Sequence, residues 1–106
     1  MSEKELFDLL VTLDIPVAYD HFEQYPDNKI APPFILYRNT DATTQKAEDI
    51  TWYKHNNYII DLVTDIKDTT LEGKLEQLLT ANHMPFDIEE NYIAEERIYQ
   101  IRYFTN

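Results

Sequence analysis

The sequence predicts a small α+β domain: two helices packed on one face of a mixed or mainly antiparallel sheet of five to six strands, in the order α-β-β-β-β-α-β-β. Three observations carry this. Two stretches place leucines at helical spacing behind Ser/Thr-x-x-Glu starts. The stretches between and after them are short, rich in β-branched and aromatic residues, and bounded by turn formers. A chain of 106 residues without internal repeat or low-complexity tract has the length of one domain, and such a domain buries about two thirds of the surface its unfolded chain exposes. Residues 1–106 are therefore expected to form a single domain around one core.

The first helix starts at Ser2 and Glu5, whose hydroxyl and carboxylate can satisfy orphan backbone donors as a capping box. Leu6, Leu9, Leu10 and Leu13 make one apolar stripe, Phe7 widens it, and Pro16 bars continuation, so the helix is expected over residues 3–13. The second helix repeats the device with Thr69 and Glu72, and Leu71, Leu75, Leu78 and Leu79 give its stripe over residues 70–81. Asn82, which tolerates the left-handed conformation, and Pro85 signal its end. Gly73, the only glycine, lies inside this helix at a cost of about 1 kcal/mol against alanine and reads as an unoptimised surface position.

The strands fall around these helices. Residues 17–22 alternate weakly and are short, as an edge strand would be, before the turn formers of residues 25–28. Pro32 and Pro33 force an extended entry to the apolar run 34–37. Residues 50–53 and 58–65 follow, as two strands or one long bent strand, and Tyr58 to Thr64 is dense enough in apolar and β-branched residues to be the sheet centre. Residues 86–93 and 97–104 close the chain as a hairpin about the turn 94–96, with Tyr99, Ile101 and Tyr103 on one face of its second strand. Between strands, residues 39–49 are polar and aperiodic and read as a long exposed loop.

Composition excludes several classes. Twenty acidic against nine basic side chains give a net charge of −11, which repels phosphate backbones and argues against direct DNA binding. The acidity has three readings: solubility, mimicry of DNA to occupy a DNA-binding enzyme, or a surface past which DNA slides without sticking. With no cysteine there is neither a disulfide framework nor a thiolate metal site. No stretch approaches the roughly 18 apolar residues of a membrane span and no leader-like segment opens the chain, so the expectation is a protein made in the cytoplasm, with no membrane partner.

Catalytic chemistry has little to stand on. His21, His55 and His83 are far apart and lack partners at metal-ligand spacing. Asp61 and Asp65 share a strand face, but two carboxylates alone are a weak cation signal. Glu89, Glu90, Glu95 and Glu96 crowd the last hairpin, where charge discourages edge-to-edge aggregation more readily than it performs acid and base work. There is no phosphate-cradling glycine loop, and Ser2, the only serine, is used as a cap. No enzyme activity and no cofactor are expected. Trp52, Tyr53 and Tyr92 are candidate subunit-interface anchors, because large amphipathic rings contribute much binding at small entropic cost.

The leucine-rich opening helix, the strings Ile15-Pro16-Val17-Ala18-Tyr19-Asp20-His21-Phe22 and Ala31-Pro32-Pro33-Phe34-Ile35-Leu36-Tyr37, and Asn57-Tyr58 leading through a strand into residues 70–79 together resemble the tail-completion or head-tail joining proteins of siphophages and prophages of Gram-positive hosts. The resemblance covers nearly the whole chain and rests on structural strings rather than catalytic signatures. It implies an α+β subunit of a tail-terminator type, forming a hexameric ring on the particle through which DNA passes without specific binding. The implied partners are other copies of the chain, the tail tube and head-connector proteins. The implied places are the host cytoplasm during assembly and then the virion. On this reading Asp41, Lys46, Glu48 and Asp49 of the polar loop face the lumen or a partner. The alternative from another class is an acidic DNA mimic that inhibits a host DNA-binding protein.

Overall fold

The computed structural model describes residues 2–19, 31–40 and 57–105. Helix α1 (Glu3–Leu10) runs on into a 3-10 turn (Val11–Leu13), and it starts as its sequence requires: Ser2 Oγ accepts from Glu5 N, and the Glu5 carboxylate accepts from Ser2 N. Asp14, left-handed at φ 67°, ends the turn ahead of Pro16. Strands β1 (Val17–Tyr19), β2 (Phe34–Asn39) and β3 (Tyr58–Thr64) precede helix α2 (Thr69–Ala81), and β4 (Phe86–Ile93) and β5 (Ile98–Thr105) follow it. The expected strand at 50–53, the turn at 25–28 and the loop after Thr40 lie outside the described residues, as does the first strand beyond Tyr19.

The five strands form one mixed sheet in the order β1-β2-β3-β5-β4, parallel between β1 and β2 and antiparallel elsewhere. β3 is the central strand, flanked by β2 and β5, as its density of apolar side chains required. The short β1 is an edge, also as expected. Alternation sorts the side chains: Ile35, Tyr37, Tyr58, Ile60, Leu62, Ile101 and Tyr103 share one face and one core with Leu6 and Leu10 of α1 and Leu71, Leu75 and Leu79 of α2. Both helices thus pack on that face, and neither packs on the other.

Two helix signals resolve differently from their sequence reading. The N-cap of α2 is Asp68, not Thr69: its carboxylate accepts from Leu71 N at 3.0 Å, and Thr69 is already helical. A carboxylate is as good a cap as a hydroxyl and also suits the positive end of the helix dipole. Glu72, freed from the capping box, pairs with Lys67. At the other end Asn82 keeps φ −104° and its amide donates to the Leu78 carbonyl, while His83 takes the left-handed conformation at φ 58°. Bonds from Met84 N to Leu79 O and from His83 N to Thr80 O complete a Schellman cap, with Met84 buried against the core. Gly73 faces open space, since a Cβ there would meet nothing within 4 Å.

Candidate interaction surfaces

The polar side chains of the described residues do not converge on a reaction centre. Asp61 of β3, only 9% exposed, is held by a bidentate pair with Arg102 of β5, at 2.8 Å from Nε and 3.1 Å from Nη2. The register puts them directly opposite each other on the face without helices. The carboxylate holds the Arg102 guanidinium above its usual range. Asp65 lies beyond the strand end and is exposed, so the two aspartates do not form a cation site. Leu36, Arg38, Ile59, Asp61 and Arg102 border a cavity of about 160 Å³ on this face.

The acidic hairpin also disperses. Glu89 is opposite Arg102 in the register, and Glu90 reaches across the other face to Lys67 at 2.9 Å. Lys67 bridges Glu90 and Glu72, which raises its pKa and ties β4 to the start of α2. Glu95 and Glu96 sit in the exposed turn. His83 serves the helix end, and His21 and His55 lie outside the described residues. No three His, Cys, Asp or Glu side chains group to hold a metal among the described residues. No helix among them is long and apolar enough to cross a membrane.

What the fold does assemble is two unlike apolar patches at opposite edges of the sheet. At the β1 edge Phe7, Val11 and Tyr19 are 37%, 40% and 42% exposed. Tyr19 meets Tyr37 edge-on with ring centres 5.1 Å apart, Phe7 lies 6.3 Å from the same ring, and Tyr19 Oη accepts from Asn39 N. This patch is preorganised, because its rings lean on a buried tyrosine. Phe7, expected to widen the core stripe, instead stands outside it and with Val11, four residues on, forms a second, exposed stripe beside the leucines.

The other patch belongs to β4, whose residues from Asp87 to Tyr92 are all exposed. Ile88 and Tyr92, at 49% and 53% exposure, project on the helix-bearing side beyond the reach of α2, and Tyr92 rests on Tyr99 with ring centres 4.8 Å apart. Tyr92, a candidate interface anchor from the sequence, is thus exposed on the edge strand. Trp52, Tyr53, Asp41, Lys46, Glu48 and Asp49 lie outside the described residues. No protein-family model, no curated protein and no solved structure matches this chain.

Proposed function

We propose that this protein is a structural subunit of a phage head-tail interface, completing or capping the tail tube as an oligomeric ring through which DNA passes. The observation that carries the reading is the pair of unlike apolar patches at opposite edges of one sheet, Phe7, Val11 and Tyr19 at one and Ile88 and Tyr92 at the other. A heterologous contact, in which one patch of a subunit meets a different patch of the next, generates a ring when the rotation closes. The sequence strings that resemble tail-completion proteins supply the setting. The net charge of −11 suits a lumen that must repel passing DNA.

Native mass measurement with negative-stain imaging, on the protein alone and with tail-tube protein, tests this. Ring-shaped assemblies are expected. A monomer or dimer that instead binds a basic host DNA-binding protein, with affinity falling as salt rises, is the result of a DNA mimic and overturns the reading. Changing Asp41, Glu48 and Asp49 to lysine is expected to impair DNA ejection while leaving assembly intact, and unaltered ejection removes these residues from the lumen.

A further inference from the structure

We propose that copies of this chain join head to tail, with β4 of one copy lying antiparallel beside β1 of the next, so that the sheet continues across the boundary. The inference rests on the ring reading and names the surfaces that form the ring.

The β4 edge is built to accept a strand. It is eight residues long, exposed along its interior, and paired one to one with β5 without a bulge. It carries no proline and no lysine, and the charges that guard it are all acidic: Asp87, Glu89 and Glu90. Its acids discourage pairing with itself. In the antiparallel register that matches β4 to a second β4 end to end, Glu89 lies opposite Glu90. Slipped by one residue either way, Glu89 meets Glu89 or Glu90 meets Glu90. Like charges directly opposite destabilise a strand pair, so the symmetric dimers with the longest overlap are disfavoured and an uncharged strand is the better occupant.

The far edge of the same sheet fits. β1 carries no charge in Val17, Ala18 and Tyr19. Following the pairings across the sheet, β4 runs opposite to β1, so a continued sheet joins them antiparallel. Continuation also keeps each face in register with itself. On the helix-bearing face Ile88 and Tyr92 meet Tyr19, with Phe7 and Val11 alongside. On the other face Asp87 and Glu89 approach Arg38 of β2, which has no acidic partner among the described residues. On β1 itself Ala18 shares this face and lies opposite Leu36, two residues before Arg38 on β2. Two strand spacings amount to about 10 Å, within the joint reach of an arginine and a carboxylate side chain. Apolar thus meets apolar on one face, around a Glu90 that is paired with Lys67, and acid meets base on the other.

Two exposed substitutions test the assignment. Val11→Glu removes the β1-edge surface and Ile88→Glu the β4-edge surface, and circular dichroism confirms that each variant is folded. Each alone is expected to fall from ring mass to single-chain mass. Mixed one to one, they are expected to give a complex of two chains and no larger, because one intact edge of each kind remains. Arg38→Asp is expected to weaken assembly, and adding Asp87→Arg to the same chain to restore it. Rings that persist in both single variants overturn this inference alone, as does a Val11→Glu protein that dimerises by itself. A wild-type protein that stays single at its highest soluble concentration and with tail-tube protein overturns this inference together with the ring reading.

Discussion

On the face of the sheet that carries the helices, Ile60, Leu62, Ile101 and Tyr103 have at most 1% of their surface exposed. On the opposite face the centre is held by the Asp61–Arg102 pair, and Phe104, two residues along β5 from Arg102, stays 37% exposed. The first face is stabilised by burial, which is non-directional and scales with apolar area. The second relies on a charge-assisted bidentate contact that depends on both partners being present. Side chains two residues apart on one strand share a mechanism, and immediate neighbours do not.

The largest expected effect separates the faces by truncation. Leu75→Ala empties a site with no solvent exposure between α2 and the sheet and is expected to cost about 3 kcal/mol. Phe104→Ala removes more atoms from the other face but is expected to cost about 1 kcal/mol, since much of that ring is already in water. Urea unfolding midpoints at unchanged slope measure both. Equal losses break the comparison.

The ion pair gives the next effect. Arg102→Leu leaves Asp61 nearly buried without its partner and is expected to cost about 2 kcal/mol, below the full value for a buried pair because the arginine is partly solvated. Replacing both, as Asp61→Val with Arg102→Leu, is expected to cost less than Arg102→Leu alone, because no uncompensated charge remains. A double variant at least as damaged as the single one shows that the pair contributes net stability instead of only satisfying its own desolvation.

Alkali is expected to act through the helix-bearing face. Burial, with a smaller push from Glu3, raises Tyr58 from 10.0 to about 12. Tyr37 is raised mainly by burial, and Tyr103 by burial and by its hydrogen bond to Glu76. The unfolded chain releases these protons near pH 10, whereas the folded chain keeps that of Tyr58 to about 12. Stability is therefore full below about pH 10 and is lost as pH rises through 12. Melting temperature against pH reads this directly, and a flat profile across the window shows that the tyrosines titrate as freely as in the unfolded chain.

Much of the helix-bearing face was legible in the sequence because its signals are periodic. Leu6 and Leu10, then Leu71, Leu75 and Leu79, announce stripes, and the alternation of Tyr99, Ile101 and Tyr103 announces a half-buried strand. The opposite face was not. Asp61 and Arg102 are 41 positions apart, so their pairing is fixed only by the β3–β5 register. The edge patches were half legible. Tyr92 stood out as an amphipathic ring on a strand, but Phe7 read as a widening of the core stripe and Val11 gave no signal until β1 is placed beside them at the sheet edge. The helix caps show the remaining limit, because several residues near a helix end can do the same work and local geometry selects among them.

That selection supplies the smallest effect. α2 covers the apolar face only if its first turn is closed, and Asp68 closes it through the bond to Leu71 N. Asp68→Ala is expected to cost about 1 kcal/mol. Thr69→Ala, which removes the residue that the Thr-x-x-Glu pattern nominates, is expected to fall within about 0.5 kcal/mol of the parent, since Thr69 is exposed inside the helix and alanine is a better helix former. The two substitutions are adjacent and both shorten a polar side chain, so general loss of polarity predicts equal effects. If Thr69→Ala proves the more damaging, the cap in solution is the threonine and Glu72 is drawn back to it. In that case the Lys67 bridge that links α2 to β4 loses its Glu72 arm, and the exposed edge strand is held less firmly against the helix-bearing face.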